Sequence, residues 1–170
     1  MFEKGSFVVY GANGVCTVSD RRTEKQCGTD REYYVLTPLG NKDASIFVPT
    51  DNETLVAKMR NLLSRDEITE LVLSLRESTV EWERDNKKRN EYGNAVLARG
   101  DRGEMLSLVR SIYIRKKELS AVGKHLPGSD DGLLKKAEKL INEEFAVALG
   151  ISSDEVPDFI KKTLESTACT

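Results

Sequence analysis

Apolar and polar positions along this 170-residue chain follow two different periods, and the switch falls near residue 50. In the first part the apolar runs are short and rich in β-branched and aromatic residues: Phe7-Val-Val-Tyr10, Val15-Cys-Thr-Val18, Glu32-Tyr-Tyr-Val-Leu-Thr37 and Ala44-Ser-Ile-Phe-Val48. Turn-forming residues separate them. Gly11-Ala-Asn-Gly14 holds an Asn-Gly pair able to take positive φ, Cys27-Gly-Thr-Asp30 is a second turn, Pro38 to Asp43 a third, and Pro49 closes the series. The pattern predicts four or five short strands.

From about residue 52 the apolar residues recur at spacings of three and four, the helical period. Ser64 and Glu67 have capping-box spacing, in which the serine accepts from the N3 amide and the glutamate reaches back. They open a helix with Ile68, Leu71, Val72 and Leu75 on one side. Ser78 and Glu81 repeat the spacing and predict a helix start just before Trp82. Asp101 and Glu104 open a third helix, with Met105, Leu108, Val109 and Ile112 inward. Residues 126–131 read as a loop around Pro127 and Gly128. Leu134, Ala137, Ile141, Phe145 and Ala148 form another stripe, stopped by Gly150, and Ser152 and Glu155 cap a last helix. The predicted class is α+β: a bent β-barrel of the Tudor or SH3 kind over residues 1–52, then an all-α domain of about five helices over 53–166.

A net charge of −2 argues against a chain that finds nucleic acid by bulk electrostatics. The charge is unevenly spread, however. Residues 79–124 carry eleven Lys or Arg against seven Asp or Glu, so a basic excess sits in one region of an otherwise acidic chain. Three cysteines with no close pairing exclude a CxxC zinc site and argue against a disulfide framework. The N-terminal Met-Phe-Glu-Lys-Gly is no signal region, and no apolar run approaches the roughly 18 residues of a membrane span, so a cytoplasmic protein away from the membrane is expected.

Catalytic chemistry has little to stand on. The single histidine, His125, lies in a loop, where a solvated side chain is the ordinary outcome. Gly11-Ala-Asn-Gly14 lacks the Gly-Lys-Ser/Thr ending of a phosphate loop. No cofactor, metal or enzymatic activity is expected.

The informative region is the charged stretch around the lone tryptophan, Trp82. On a helix its face would be shared with Asp85, Asn86 and Arg89, none of which buries an indole. The ring is therefore either docked on another element or displayed. Arg84, Lys87, Lys88 and Arg89 follow it, and Arg99, Arg102, Arg110, Arg115, Lys116 and Lys117 carry the positive bias onto the next helix. Such cations either track phosphates or form a solvated face balanced by Glu81, Glu83, Asp85 and Glu91. An apolar wedge flanked by cations is how architectural proteins distort a minor groove.

The order of parts carries a resemblance. Lys4-Gly5-Ser-Phe-Val-Val-Tyr10 and Gly14 open the β module; an acidic-flanked Trp82 with downstream Arg and Lys, Ala98-Arg-Gly-Asp101, Val109-Arg110 and Leu119-Ser120 follow in the helical part. Over about residues 1–150 this resembles the CarD family of bacterial transcription regulators, whose N-terminal module is shared with the polymerase-binding domain of transcription-repair coupling factors. The resemblance implies a Tudor-like domain that docks on the RNA polymerase β subunit. It also implies a helical domain whose tryptophan, here Trp82, wedges into the promoter minor groove at the upstream edge of the melted bubble. The wedge would stabilise the open complex without sequence-specific readout. Supporting DNA contacts would fall on Arg84, Lys87, Lys88 and Arg89. The polymerase contact would fall on Ile46, Phe47, Val48 and Pro49. The family often has an arginine where this chain has Phe47, so Arg21 and Arg22 are the candidates to supply that cation. A monomer is expected, and the competing reading is a protein-only adaptor with no DNA contact.

Overall fold

The computed structural model describes residues 1–79 and 81–166, and the chain divides into two compact units, 1–62 and 63–170. The first is a five-stranded antiparallel sheet: β1 Phe7–Tyr10, β2 Val15–Gln26, β3 Thr29–Pro38, β4 Ile46–Pro49 and β5 Met59–Arg60, in the order β4-β3-β2-β1-β5. A short helix, α1 Glu53–Val56, lies between β4 and β5. The unit runs to Leu62 because α1 and β5 complete it: Asn52 caps α1 by accepting from the Leu55 amide, and β5 pairs with β1. Its core is built from alternate positions, with Val8, Cys16, Val18, Tyr34, Leu36, Val48 and Met59 packed together.

Two turns differ from expectation. The charged residues after Val18 continue β2 to Gln26, and the turn into β3 is the pair Cys27 and Gly28, at φ 51° and 83°. Two successive positive φ angles match the right-handed twist of a hairpin. Residues 21–30 are exposed, so this hairpin buries neither face and shows no apolar alternation from which to read a strand. In the β1–β2 connection, Gly11–Asn13 is a single 3₁₀ turn, and the positive φ angles fall on Gly11 and Gly14, not on Asn13.

The second unit contains α2 Arg65–Ser74, α3 Asn86–Arg99, α4 Arg102–Ala121, α5 Gly128–Leu149 and α6 Val156–Ser166 around one apolar cluster. Both expected ends of α2's capping box form: Ser64 accepts from the Glu67 amide and the Glu67 carboxylate accepts from the Ser64 amide at 2.7 Å. That bond from the Ser64 amide, with the Ser64 side chain behind it, holds the Glu67 carboxyl below its usual range. Asp101 caps α4, Gly150 ends α5 in the left-handed region, and Ser152 and Glu155 form the last box. Helix α5 begins at Gly128, inside the segment read as a loop, because Pro127 at the N-cap position withholds only an amide that a helix start leaves unpaired anyway.

Two contacts fix the bundle. Gly93 on α3 meets α5 so closely that a Cβ there would lie 2.6 Å from a Leu133 methyl. Glu144 on α5, 2% exposed, accepts from the Arg102 guanidinium of α4 at 2.6 Å and from the Leu63 amide at 3.3 Å. No helix among the described residues is long and apolar enough to cross a membrane.

Candidate functional site

In the sheet unit the candidate surface is the open edge strand β4. The Thr50 amide donates to the Glu32 carbonyl of β3 at 3.0 Å, and alternation along an antiparallel ladder then turns residues 46, 48 and 50 toward β3 and residues 47 and 49 outward. Pro49 thus stands where its missing N–H costs no ladder bond, and Phe47 directs both backbone groups to the open edge. The Phe47 ring is 41% exposed. It meets Tyr33 edge-to-face at 6.2 Å between centroids, and the Arg22 guanidinium lies over it at 5.1 Å.

The two arginines offered as substitutes for a basic residue at Phe47 separate here. Arg22 pairs across β3 with Tyr33 and shares the Phe47 face. Arg21 alternates to the opposite face, over the Tyr34 ring at 5.6 Å, and donates to Glu32 at 2.7 Å. That bond raises the Arg21 pKa and lowers that of Glu32. Among the expected contacts Val48 is corrected: it is 0% exposed and belongs to the sheet core, so its side chain offers a partner nothing. Ile46 is half-buried against that same core.

The tryptophan site lies wholly in the helical unit. Helix α3 starts at Asn86, capped by Asp85, whose carboxylate accepts from the Lys88 amide at 2.9 Å. Trp82 therefore precedes the helix, on a non-helical stretch, and is not in its first turn. The capping box expected at Ser78 includes Val80, which lies outside the described residues, and the Ser78 hydroxyl instead donates to the Leu75 carbonyl. The indole is half-buried against the helical core. The Arg89 guanidinium lies 4.4 Å from its ring centroid and that of Arg115 lies 6.0 Å away.

Arg89 is the second correction. Its Nε and Nη2 donate to the two carboxylate oxygens of Asp130 at 2.7 and 2.6 Å, with Arg89 7% and Asp130 0% exposed. Nη1 donates to the Glu83 carbonyl at 2.8 Å and Nη2 also to Asn86 Oδ1 at 2.9 Å. The bond to Asp130 raises the Arg89 pKa further, and with its donors engaged the group has none left for a phosphate. Arg84, Lys87 and Lys88 behave differently: all three are exposed and form no ion pair among the described residues.

Most of the basic excess from the end of α3 through α4 is engaged inside the unit. Arg99 pairs with Glu104, Arg102 with Glu144, and Arg110 donates to the Leu75 and Ser78 carbonyls. Arg115 pairs with Glu118. Asp130, Asn86 and Ser129, which complete the surroundings of Arg89, carry no local signal of that role. Asp130 is 41 residues from Arg89 and falls in a segment that reads as loop.

Residues 2–62 match the family model described as CarD-like/TRCF RID domain. Over those residues the chain is similar to an RNA-polymerase-interacting domain. The match ends at Leu62, where the compact sheet unit ends, so the family domain and the physical domain coincide. The RID family binds RNA polymerase, which supports a polymerase-binding role for this chain and is consistent with a CarD-like protein. No curated protein matches the chain.

Proposed function

We propose that this chain is a non-catalytic, monomeric transcription regulator that docks on the polymerase β subunit through its RID domain and stabilises open promoter complexes through Trp82. The indole acts as a wedge in the minor groove at the upstream edge of the bubble, without sequence-specific base readout. One observation carries the reading. In a chain with a polymerase-binding domain, the only tryptophan is partly exposed on a non-helical stretch beside Arg84, Lys87 and Lys88, three exposed cations with no ion pair among the described residues. Phe47 on the edge strand β4 and Arg22 on β2, whose guanidinium lies over the Phe47 ring, are the proposed anchors on the polymerase.

The energetics support the scheme. Docking on polymerase raises the local concentration of DNA around the helical unit, so a weak contact from a chain of net charge −2 is sufficient. A wedge shifts the equilibrium only by its differential affinity for distorted over closed duplex. A difference of about 1–3 kcal/mol lengthens open-complex lifetime by roughly 5- to 150-fold. The test is Trp82→Ala in the full chain: polymerase affinity holds while open-complex lifetime falls. An unchanged lifetime would sink the wedge.

The second reading, a protein-only adaptor, is favoured by the packing of one side of Trp82 on the helical core. It requires that no salt-dependent crosslink to promoter DNA form in the polymerase complex.

A further inference from the structure

We infer that Arg89, backed by Asp130, is the positioning residue for Trp82: one guanidinium holds the tryptophan-bearing stretch in a single presentation. The inference rests on the wedge reading for its functional consequence, though not for its geometry. Trp82 sits in a stretch without helix or strand, so the backbone ladder does not fix it. Arg89 does so from several directions. The Cζ of its guanidinium lies over the indole, 4.4 Å from the ring centroid. Its edge reaches back to the carbonyls of Glu83 and Arg84, at 2.8 and 3.5 Å, and so grips the chain immediately after the tryptophan.

The other edge anchors the group to a different helix. Both carboxylate oxygens of Asp130, in the first turn of α5, accept from Arg89. Asn86 closes the ring of contacts, accepting from Arg89 and from the Ser129 hydroxyl at 3.1 Å. A planar fork with five donors can make these contacts at once; a lysine ammonium, with three donors and no flat face, cannot. The ion pair is buried and bidentate, the geometry in which removal of one partner leaves an uncompensated charge and the whole cluster must rearrange.

The consequence is preorganisation. A half-exposed indole on a loose segment would lose conformational freedom each time it entered a groove, and fixing it beforehand removes that cost from binding. Arg89 thus contributes to the DNA step without touching DNA. Arg84, Lys87 and Lys88 remain the groups that face solvent.

The experiment uses Arg89→Lys and Asp130→Asn in the full chain. Because Trp82 is the only tryptophan, acrylamide quenching of intrinsic fluorescence reports on it alone. With helical circular dichroism retained, the quenching constant should rise and open-complex lifetime should fall at least about twofold, the low end for residues in contact. In a Trp82→Ala background, R89K should produce no further loss of lifetime. An unchanged quenching constant in folded R89K, or an equal lifetime loss with and without Trp82, would overturn the inference. If Trp82→Ala itself leaves lifetime unchanged, the wedge fails while the quenching result still decides the positioning role. Should the variants not fold, time-resolved anisotropy of the native protein decides: Trp82 should tumble with the unit, and a dominant fast local component would overturn the role.

Discussion

Truncating Phe47 to alanine tests the proposed polymerase face and permits a worked magnitude. The ring is 41% exposed on an open edge strand. An aromatic side chain offers about 200 Å² of surface, so roughly 80 Å² is available to a partner. At about 25 cal/mol per Å² its burial contributes about 2 kcal/mol, or roughly 30-fold in Kd. Arg22 over the ring adds to this only if it moves into the interface with it. The assay is biolayer interferometry of the full chain on immobilised core polymerase at fixed salt, beside a thermal melt to confirm the fold. Phe47→Ala should weaken binding about 30-fold, and Phe47→Leu should recover most of the loss. Phe47→Pro adds a separate test of the backbone. It removes an outward N–H and no ladder bond, so its loss should exceed that of alanine by about fivefold if a partner strand pairs with the edge. Binding within about threefold of wild type for the alanine variant would refute Phe47 as an anchor, and would leave the polymerase contact to some other face of the RID domain.

Glu144→Leu should destabilise the helical unit by about 3 kcal/mol, because it removes the buried carboxylate that accepts from the Arg102 guanidinium; adding Arg102→Met should recover part of the loss, leaving the Leu63 amide without its acceptor at about 1–2 kcal/mol. Urea denaturation of the four proteins checks this, and strictly additive losses would contradict it. Gly93→Ala sets a helix-propensity gain of about 1 kcal/mol against overpacking of about 1–3 kcal/mol by the Leu133 methyl at 2.6 Å. It should therefore destabilise in the native background and stabilise when Leu133 is also alanine, as read from melting temperatures. The Glu67 carboxyl, held down chiefly by the Ser64 amide, should titrate below the ordinary glutamate range by NMR. Because its folded pKa is depressed, its support of α2 is present above the unfolded value and is lost as pH falls through the folded one. Fraying of the α2 start as pH rises would contradict that sign.

The wedge proposal draws on both kinds of reading. Trp82 is conspicuous in the sequence because it stands among charged residues, and Arg84, Lys87 and Lys88 were identifiable with it. Arg89 was indistinguishable from them. It follows Lys88 directly, yet in the folded unit it lies under the indole with its charge neutralised by Asp130. Charge alone cannot separate the three exposed cations from the buried one, because that difference is set by a helix 41 residues further on.

The sequence by itself determined what depends on near neighbours. The short β-branched and aromatic runs at residues 7–10 and 32–37, the caps at Ser64 and Asp101, the stop at Gly150 and the change of period before the helices are consequences of backbone sterics and of side chains a few residues apart. Tertiary structure decided the rest. It extended β2 through a charged stretch because the β2–β3 hairpin supplies hydrogen bonds without needing an apolar face. It moved the start of α3 past Trp82 to Asp85, and it turned Arg89 inward where Asp130 outweighs water as a partner. Burial and pairing are properties of groups distant along the chain, and the free energy that places them exists only once the helices have packed.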